Sequence, residues 1–121
     1  MDNAHSIAER YIATWNERDA AARRAQVAGI FTLDASYRDP MMQGDGHAGI
    51  DAMIAAAQAH FPGHVFALHG TPQGHHDVLR FCWRLAAPGG QDVAFGTDVA
   101  HVDADGRLAS VAGFLDNTTL S

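Results

Sequence analysis

Val78-Leu79-Arg80-Phe81-Cys82-Trp83-Arg84-Leu85 alternates large apolar side chains with polar or small ones, the period-two pattern of a strand with one buried face. Leu79, Phe81, Trp83 and Leu85 share the buried face, and Val78, Arg80, Cys82 and Arg84 share the other. The stretch marks a change of grammar in the chain. Upstream, apolar residues recur every three or four positions; from His64 onward they recur every two. Turn signals at Gly70 to Gly74, Pro88-Gly89-Gly90 and Asp103-Ala104-Asp105-Gly106 cut the second half into four runs, short enough to join as antiparallel hairpins.

Working back from there, Ala4, Ile7, Ala8, Tyr11, Ile12 and Trp15 form one helical stripe, with Asn3 or Ser6 as cap and Ser6 and Glu9 at capping-box spacing. This helix ends between Asn16 and Asp19. Asp19 caps a second, Ala- and Arg-rich helix that buries Val27, Ile30 and Phe31, and the chain leaves it at Asp34. Ala35 to Asp39 reads as a short strand stopped by Pro40. After a Gly-rich turn, a third helix buries Ile50, Met53, Ile54, Ala57 and Phe61 and ends at Pro62-Gly63. Helices early and strands late predict one α+β domain over residues 1–121. Three N-terminal helices would pack on the concave face of a curved, mostly antiparallel sheet, an arrangement that can enclose a cavity.

Composition narrows the function. Eight Lys and Arg against fourteen Asp and Glu give a net charge of −6, so no basic field attracts nucleic acid or an anionic membrane. No apolar run approaches the ~18 residues of a membrane span. A single cysteine, Cys82, cannot form an internal disulfide, and Met1-Asp2-Asn3 has no secretion-signal character. These features predict a reduced, cytoplasmic protein.

Two motifs are set aside. Gly44-x-Gly46-x-x-Gly49 matches the dinucleotide fingerprint, but the antiparallel strands that follow and the missing acidic residue about 20 positions on argue against a cofactor. The eight histidines include the pairs His60 and His64, His64 and His69, and His75 and His76 beside Asp77. Pro62 and Gly63 separate the first pair, and no spacing matches a metal site, so no metal is expected.

Tyr11, Asp39 and Asp98 are the informative constellation. Tyr11 sits in the apolar stripe of the first helix, where a buried phenol needs a hydrogen-bond partner. Asp39 closes a strand immediately before Pro40. Asp98 shares strand parity with Ala94, Gly96, Ala100 and Val102, where a carboxyl must be paired, solvated or protonated. The opposite parity, Val93, Phe95, Thr97 and Val99, is equally apolar, so alternation leaves both placements of Asp98 open.

The segments from Arg10-Tyr11 to Arg18-Asp19, Tyr37-Arg38-Asp39-Pro40, and Gly96-Thr97-Asp98 leading into Asp103-Ala104-Asp105-Gly106-Arg107-Leu108 resemble the SnoaL-like and ketosteroid-isomerase-like branch of the nuclear transport factor two-like superfamily. The resemblance spans nearly the whole chain. It implies a cone-shaped α+β fold with a deep pocket and a homodimer through the outer face of the sheet, where Val78, Arg80, Cys82 and Arg84 fall. It also implies roles. Asp39 would be the general base, and Tyr11 and a protonated Asp98 would donate to an enolate oxygen.

Trp15, Leu79, Phe81, Trp83, Leu85, Val111, Gly113 and Leu115 would line the pocket. The implied activity is cofactor-free isomerisation or cyclisation of a small apolar, carbonyl-containing substrate. A non-catalytic ligand-binding or dimeric interaction domain is the alternative, and hydration chemistry using His47, His60 or His69 as acid is a third. Arg38 beside the base departs from the steroid isomerases, and a cation close to Asp39 would weaken it as a base.

Overall fold

The computed structural model describes residues 3–116; Met1 and Asp2, read for the lack of a leader, lie outside them. Helices α1 (Ala4–Asn16) and α2 (Ala20–Ile30) precede strands β1 (Phe31–Arg38) and β2 (Gln43–Asp45), and helix α3 (Gly46–His60) follows. Four long strands come next: β3 (Val65–His75), β4 (Val78–Ala86), β5 (Asp92–Val102) and β6 (Leu108–Leu115). They form one curved six-stranded sheet in the order β2-β1-β6-β5-β4-β3. Only β1 and β6 pair in parallel; the other neighbours are antiparallel. The α+β class therefore stands, with three helices against a mixed sheet. None of the helices is long and apolar enough to cross a membrane.

Helix α1 starts at Ala4 after Asn3, whose side chain makes no cap, so Ser6 lies inside the helix and the expected capping box does not form. Its stripe is buried as read, with Ile7, Ala8, Tyr11, Ile12 and Trp15 in the core. The amide of Asn16 fixes the helix end to the sheet, donating to Phe66 O and accepting from Phe66 N, both at 2.9 Å. Asp19 caps α2 through Ala22 N at 2.9 Å. A buried Arg23 bonds Asp51 on α3 at 2.8 Å and Gln58 at 3.1 Å, tying the two helices together.

Several boundaries differ from expectation. Strand β1 begins at Phe31, not Ala35, because Phe31 already pairs with Leu108 and the register then shifts before Ser36. Asp39 lies just past its end. The Gly-rich turn contains a short strand, β2, in which Gly44 approaches α3 so closely that a Cβ there would lie 2.9 Å from Gly49 O. Close packing accounts for that glycine spacing. Gly70 to Gly74 is no turn but an irregular stretch within β3, and the chain reverses at His76, whose φ of 51° is left-handed. Phe61 caps α3 and is half-buried, not core.

Candidate active site

The concave face of the sheet is divided along its length. Where α1 and α2 cover it, Leu79, Phe81, Ala100, Leu108 and Val111 pack into a closed core. Beyond them the layers part around a cavity of about 280 Å³. Helices α1 and α3 give Ile12, Ala57 and the neighbouring Phe61; the sheet gives Phe66, Trp83, Leu85, Ala94 and Leu115. Met41 and Met42, on the β1–β2 connection, complete one wall.

All the polar side chains of the lining gather at one end: Tyr11, Trp15, Tyr37, Asp39, Trp83 and Asp98. Topology places them there. The parallel pairing sets Arg38 opposite Ala112 of β6, so Asp39 emerges beside Gly113, and Gly113 pairs with Asp98 of β5. Gly113 has no side chain, which lets the groups converge: a Cβ there would meet Asp98 Oδ1 at 2.9 Å, Asp39 Cβ at 3.1 Å and Tyr37 Oη at 3.2 Å.

Asp98 is 2% exposed, which settles its parity on the inner face. Both its oxygens are occupied. The Tyr11 hydroxyl donates to Oδ2 at 2.8 Å and the Trp83 indole to Oδ1 at 3.0 Å. Burial pushes its carboxyl up from 3.8 to about 6; the Trp83 and Tyr11 bonds favour the charged form and oppose that rise, while Asp39 and Asp116 add to it. Burial likewise raises the Tyr11 phenol well above its usual range, aided by the Asp98 charge. Tyr11 and Asp98 therefore share a proton economy in which the tyrosine stays protonated.

Asp39 is half-buried and held by three donors. Oδ1 accepts from the backbone N–H groups of Met41 and Met42, both at 2.8 Å, and Oδ2 accepts from the Tyr37 hydroxyl at 2.6 Å. Carboxylate oxygens offer about four lone-pair directions, so one on Oδ2 remains for a ligand. The fixed orientation suits a proton acceptor. Arg38 points away, to Asp45 at 3.1 Å, as neighbouring strand residues must.

Of the residues expected to line the pocket, Trp15, Trp83, Leu85 and Leu115 do so alongside Tyr11, Asp39 and Asp98. Leu79, Phe81 and Val111 do not. They share the inner face but fall in the half that the helices seal, where Phe81 packs edge-on against Tyr11 with centroids 5.1 Å apart. Gly113 is a spacer among the polar groups and leaves the lining to its neighbours. Among the described residues, no histidine lines the cavity, and His47 bonds Phe31 O at 3.0 Å. Among the described residues, no group of three or more His, Cys, Asp or Glu is placed to hold a metal.

Tyr37 lines the cavity and bonds Asp39 but was not singled out as a site residue from the sequence. It lies two positions before Asp39 on a strand, hence on the same side, which was the available signal. The bond from Trp83 to Asp98 was also unforeseen, although both were named.

The sequence profile of the SnoaL-like domain matches residues 8–111. This chain belongs to the SnoaL-like family. A family member from Agrobacterium tumefaciens, provisionally named an isomerase, is 49% identical and superposes with a TM-score of 0.94, over 97% of this chain and 100% of that one. More distant structures share the SnoaL-like fold alone. An NTF2-like protein of unknown function from Exiguobacterium has 18% identity and a TM-score of 0.72, covering 93% of this chain and 99% of its own. A protein provisionally named a polyketide cyclase from Sinorhizobium meliloti has 19% identity and a TM-score of 0.70, covering 89% and 93%. No curated protein matches this SnoaL-like chain by sequence.

Proposed function

We propose that this SnoaL-like protein moves a proton next to the carbonyl of a small apolar substrate, giving isomerisation or ring closure without a cofactor. The observation that carries the reading is the placement of Asp39 and Asp98 on either side of Gly113, at the polar end of an otherwise apolar cavity. Asp39 Oδ2 takes a proton from the carbon beside the carbonyl, the C–H electron pair becomes the enolate double bond, and the carbonyl π pair moves onto oxygen. Tyr11 and neutral Asp98 then donate to that oxygen at the polar end of a largely apolar cavity. Returning the proton to another carbon gives an isomer; attack of the enolate carbon on an electrophilic carbon closes a ring.

Asp98 must hold a proton to donate, and it does so below about pH 6. Above that, the Tyr11 hydroxyl stays committed to the Asp98 carboxylate, and the pocket acts as a binding site. Catalysis by this route therefore falls as pH rises through about 6 in the ligand-free protein. The name carried by the Agrobacterium relative supports the isomerase form. We also propose that the outer sheet face, with Val78, Arg80, Cys82 and Arg84, pairs two copies.

Exchange of the α-hydrogens of 2-tetralone in D2O, followed by proton NMR at pH 5.5, tests the chemistry without knowledge of the natural substrate. Acceleration over buffer that disappears in Asp39→Asn is the expected result. A bound ketone that exchanges no faster than in buffer overturns the catalytic reading and leaves a ligand-binding domain.

A further inference from the structure

Among the described residues, four side-chain donors line the cavity: the Tyr11 and Tyr37 hydroxyls and the Trp15 and Trp83 indoles. Three are matched to carboxylate oxygens, Tyr11 and Trp83 to Asp98 and Tyr37 to Asp39. Trp15 Nε1 has no partner. Trp15 is only 6% exposed. A buried polar group left unpaired costs about 1–3 kcal/mol, and folded proteins retain few of them.

Position gives this group a purpose. Trp15 lies one helical turn beyond Tyr11, with ring centroids 6.2 Å apart, and is held on its other sides by Tyr37 and Phe66, each at 5.5 Å. Its indole thus stands beside the Tyr11 phenol, among the polar side chains of the cavity. On the acceptor side, Asp39 Oδ2 keeps a free lone pair. The lining thus sets one unmatched donor near a free carboxylate acceptor. A carbonyl oxygen beside an acidic C–H complements that pair, and a plain hydrocarbon does not.

We propose that the Trp15 indole N–H binds the carbonyl oxygen of the ligand, so that Trp15 selects apolar ring compounds carrying an acceptor oxygen over hydrocarbons of the same shape. This rests on the ligand being a carbonyl compound, as in the reading above, and needs no proton transfer. It also holds where Asp98 is ionised. At pH 8 the Tyr11 hydroxyl is committed to the carboxylate, and Trp15 is the free side-chain donor of the lining.

The chain has two tryptophans, so a spectrum of 15N-labelled indoles contains two signals. Trp15→Phe, which keeps an aromatic ring and removes the N–H, assigns the Trp15 signal by its loss; Trp83→Phe assigns it by elimination if the first variant does not fold. At pH 8, saturating 2-tetralone is expected to move the Trp15 N–H proton downfield while tetralin leaves it in place. The wild type should bind the ketone roughly three- to tenfold more tightly than tetralin, and Trp15→Phe should lose that preference. An unmoved Trp15 signal, a preference unchanged in Trp15→Phe, or failure of the ketone to bind overturns the proposal. A moved signal without catalysed exchange at pH 5.5 removes the catalytic reading and leaves Trp15 as the oxygen-binding group.

Discussion

The Tyr11 hydroxyl and Asp98 Oδ2 are joined by a 2.8 Å hydrogen bond inside the fold, so a proton gained or lost by one changes the other. This bond and the one from Trp83 both hold Asp98 below the value that burial alone would impose. Tyr11→Phe and Trp83→Phe should each raise the Asp98 carboxyl above about 6, Trp83→Phe the more, because its bond is the larger of the two opposing influences. Carboxyl-carbon NMR titration measures the shift. For an enolate-forming reaction, Tyr11→Phe should also lower turnover by roughly two orders of magnitude, the usual cost of one oxyanion donor.

Stability should carry the same signature. The folded state binds the Asp98 proton more tightly than the unfolded state, with about 6 against 3.8, so this residue makes stability fall as pH rises between those values. The loss amounts to about 3 kcal/mol and is complete above the upper value. In Asp98→Asn the contribution is absent. Urea midpoints of wild type and variant should therefore converge or cross as pH rises from 4 to 7, and parallel profiles would contradict the buried titration.

Gly113→Ala should damage the site more than the fold. The added methyl would press on Asp98 Oδ1, Asp39 Cβ and Tyr37 Oη together, so the Trp83 and Tyr37 bonds cannot both survive. The expected outcome is loss of catalysed exchange with a stability cost of about 1–3 kcal/mol, read by exchange and chemical melts on one sample.

Arg23 is a structural counterpart far from the chemistry. Its buried pairing with Asp51 and Gln58 leaves an uncompensated charge if only the arginine is removed. Arg23→Ala should cost about 3 kcal/mol, and Arg23→Met less, since an apolar chain of similar length refills the space. Thermal melts compare them.

On the outer sheet face, Phe114 is 55% exposed and Val99 36%, beside the Arg80 strand. If that face pairs two copies, sedimentation at micromolar concentration gives a dimer, and Phe114→Glu gives a monomer whose ketone binding is intact.

Where one face is buried without interruption, the sequence was readable: β4 and the stripe of α1 were legible because their periods are unbroken. The early part of β1 was not, since Thr32, Leu33 and Asp34 face outward around a register shift and show no alternation. The glycines at 70 and 74 looked like a reversal because irregular pairing within β3 uses the same residue types as a turn. Tyr11, Asp39 and Asp98 stood out as polar groups on their elements, and it was the family resemblance that joined them into one site. What alternation could not provide was the division of the inner sheet face, where Phe81 and Trp83 share one side of one strand yet meet a sealed core and an open cavity.

Strand β6 is inserted between β1 and β5, which lie far apart in the chain, and it brings Asp39 next to Asp98. A nascent chain emerging from the ribosome therefore already holds Asp39, Tyr11 and Asp98 while they have no common neighbour. The polar cluster forms only once β6 has been synthesised, so incomplete translation products with intact helices would lack it.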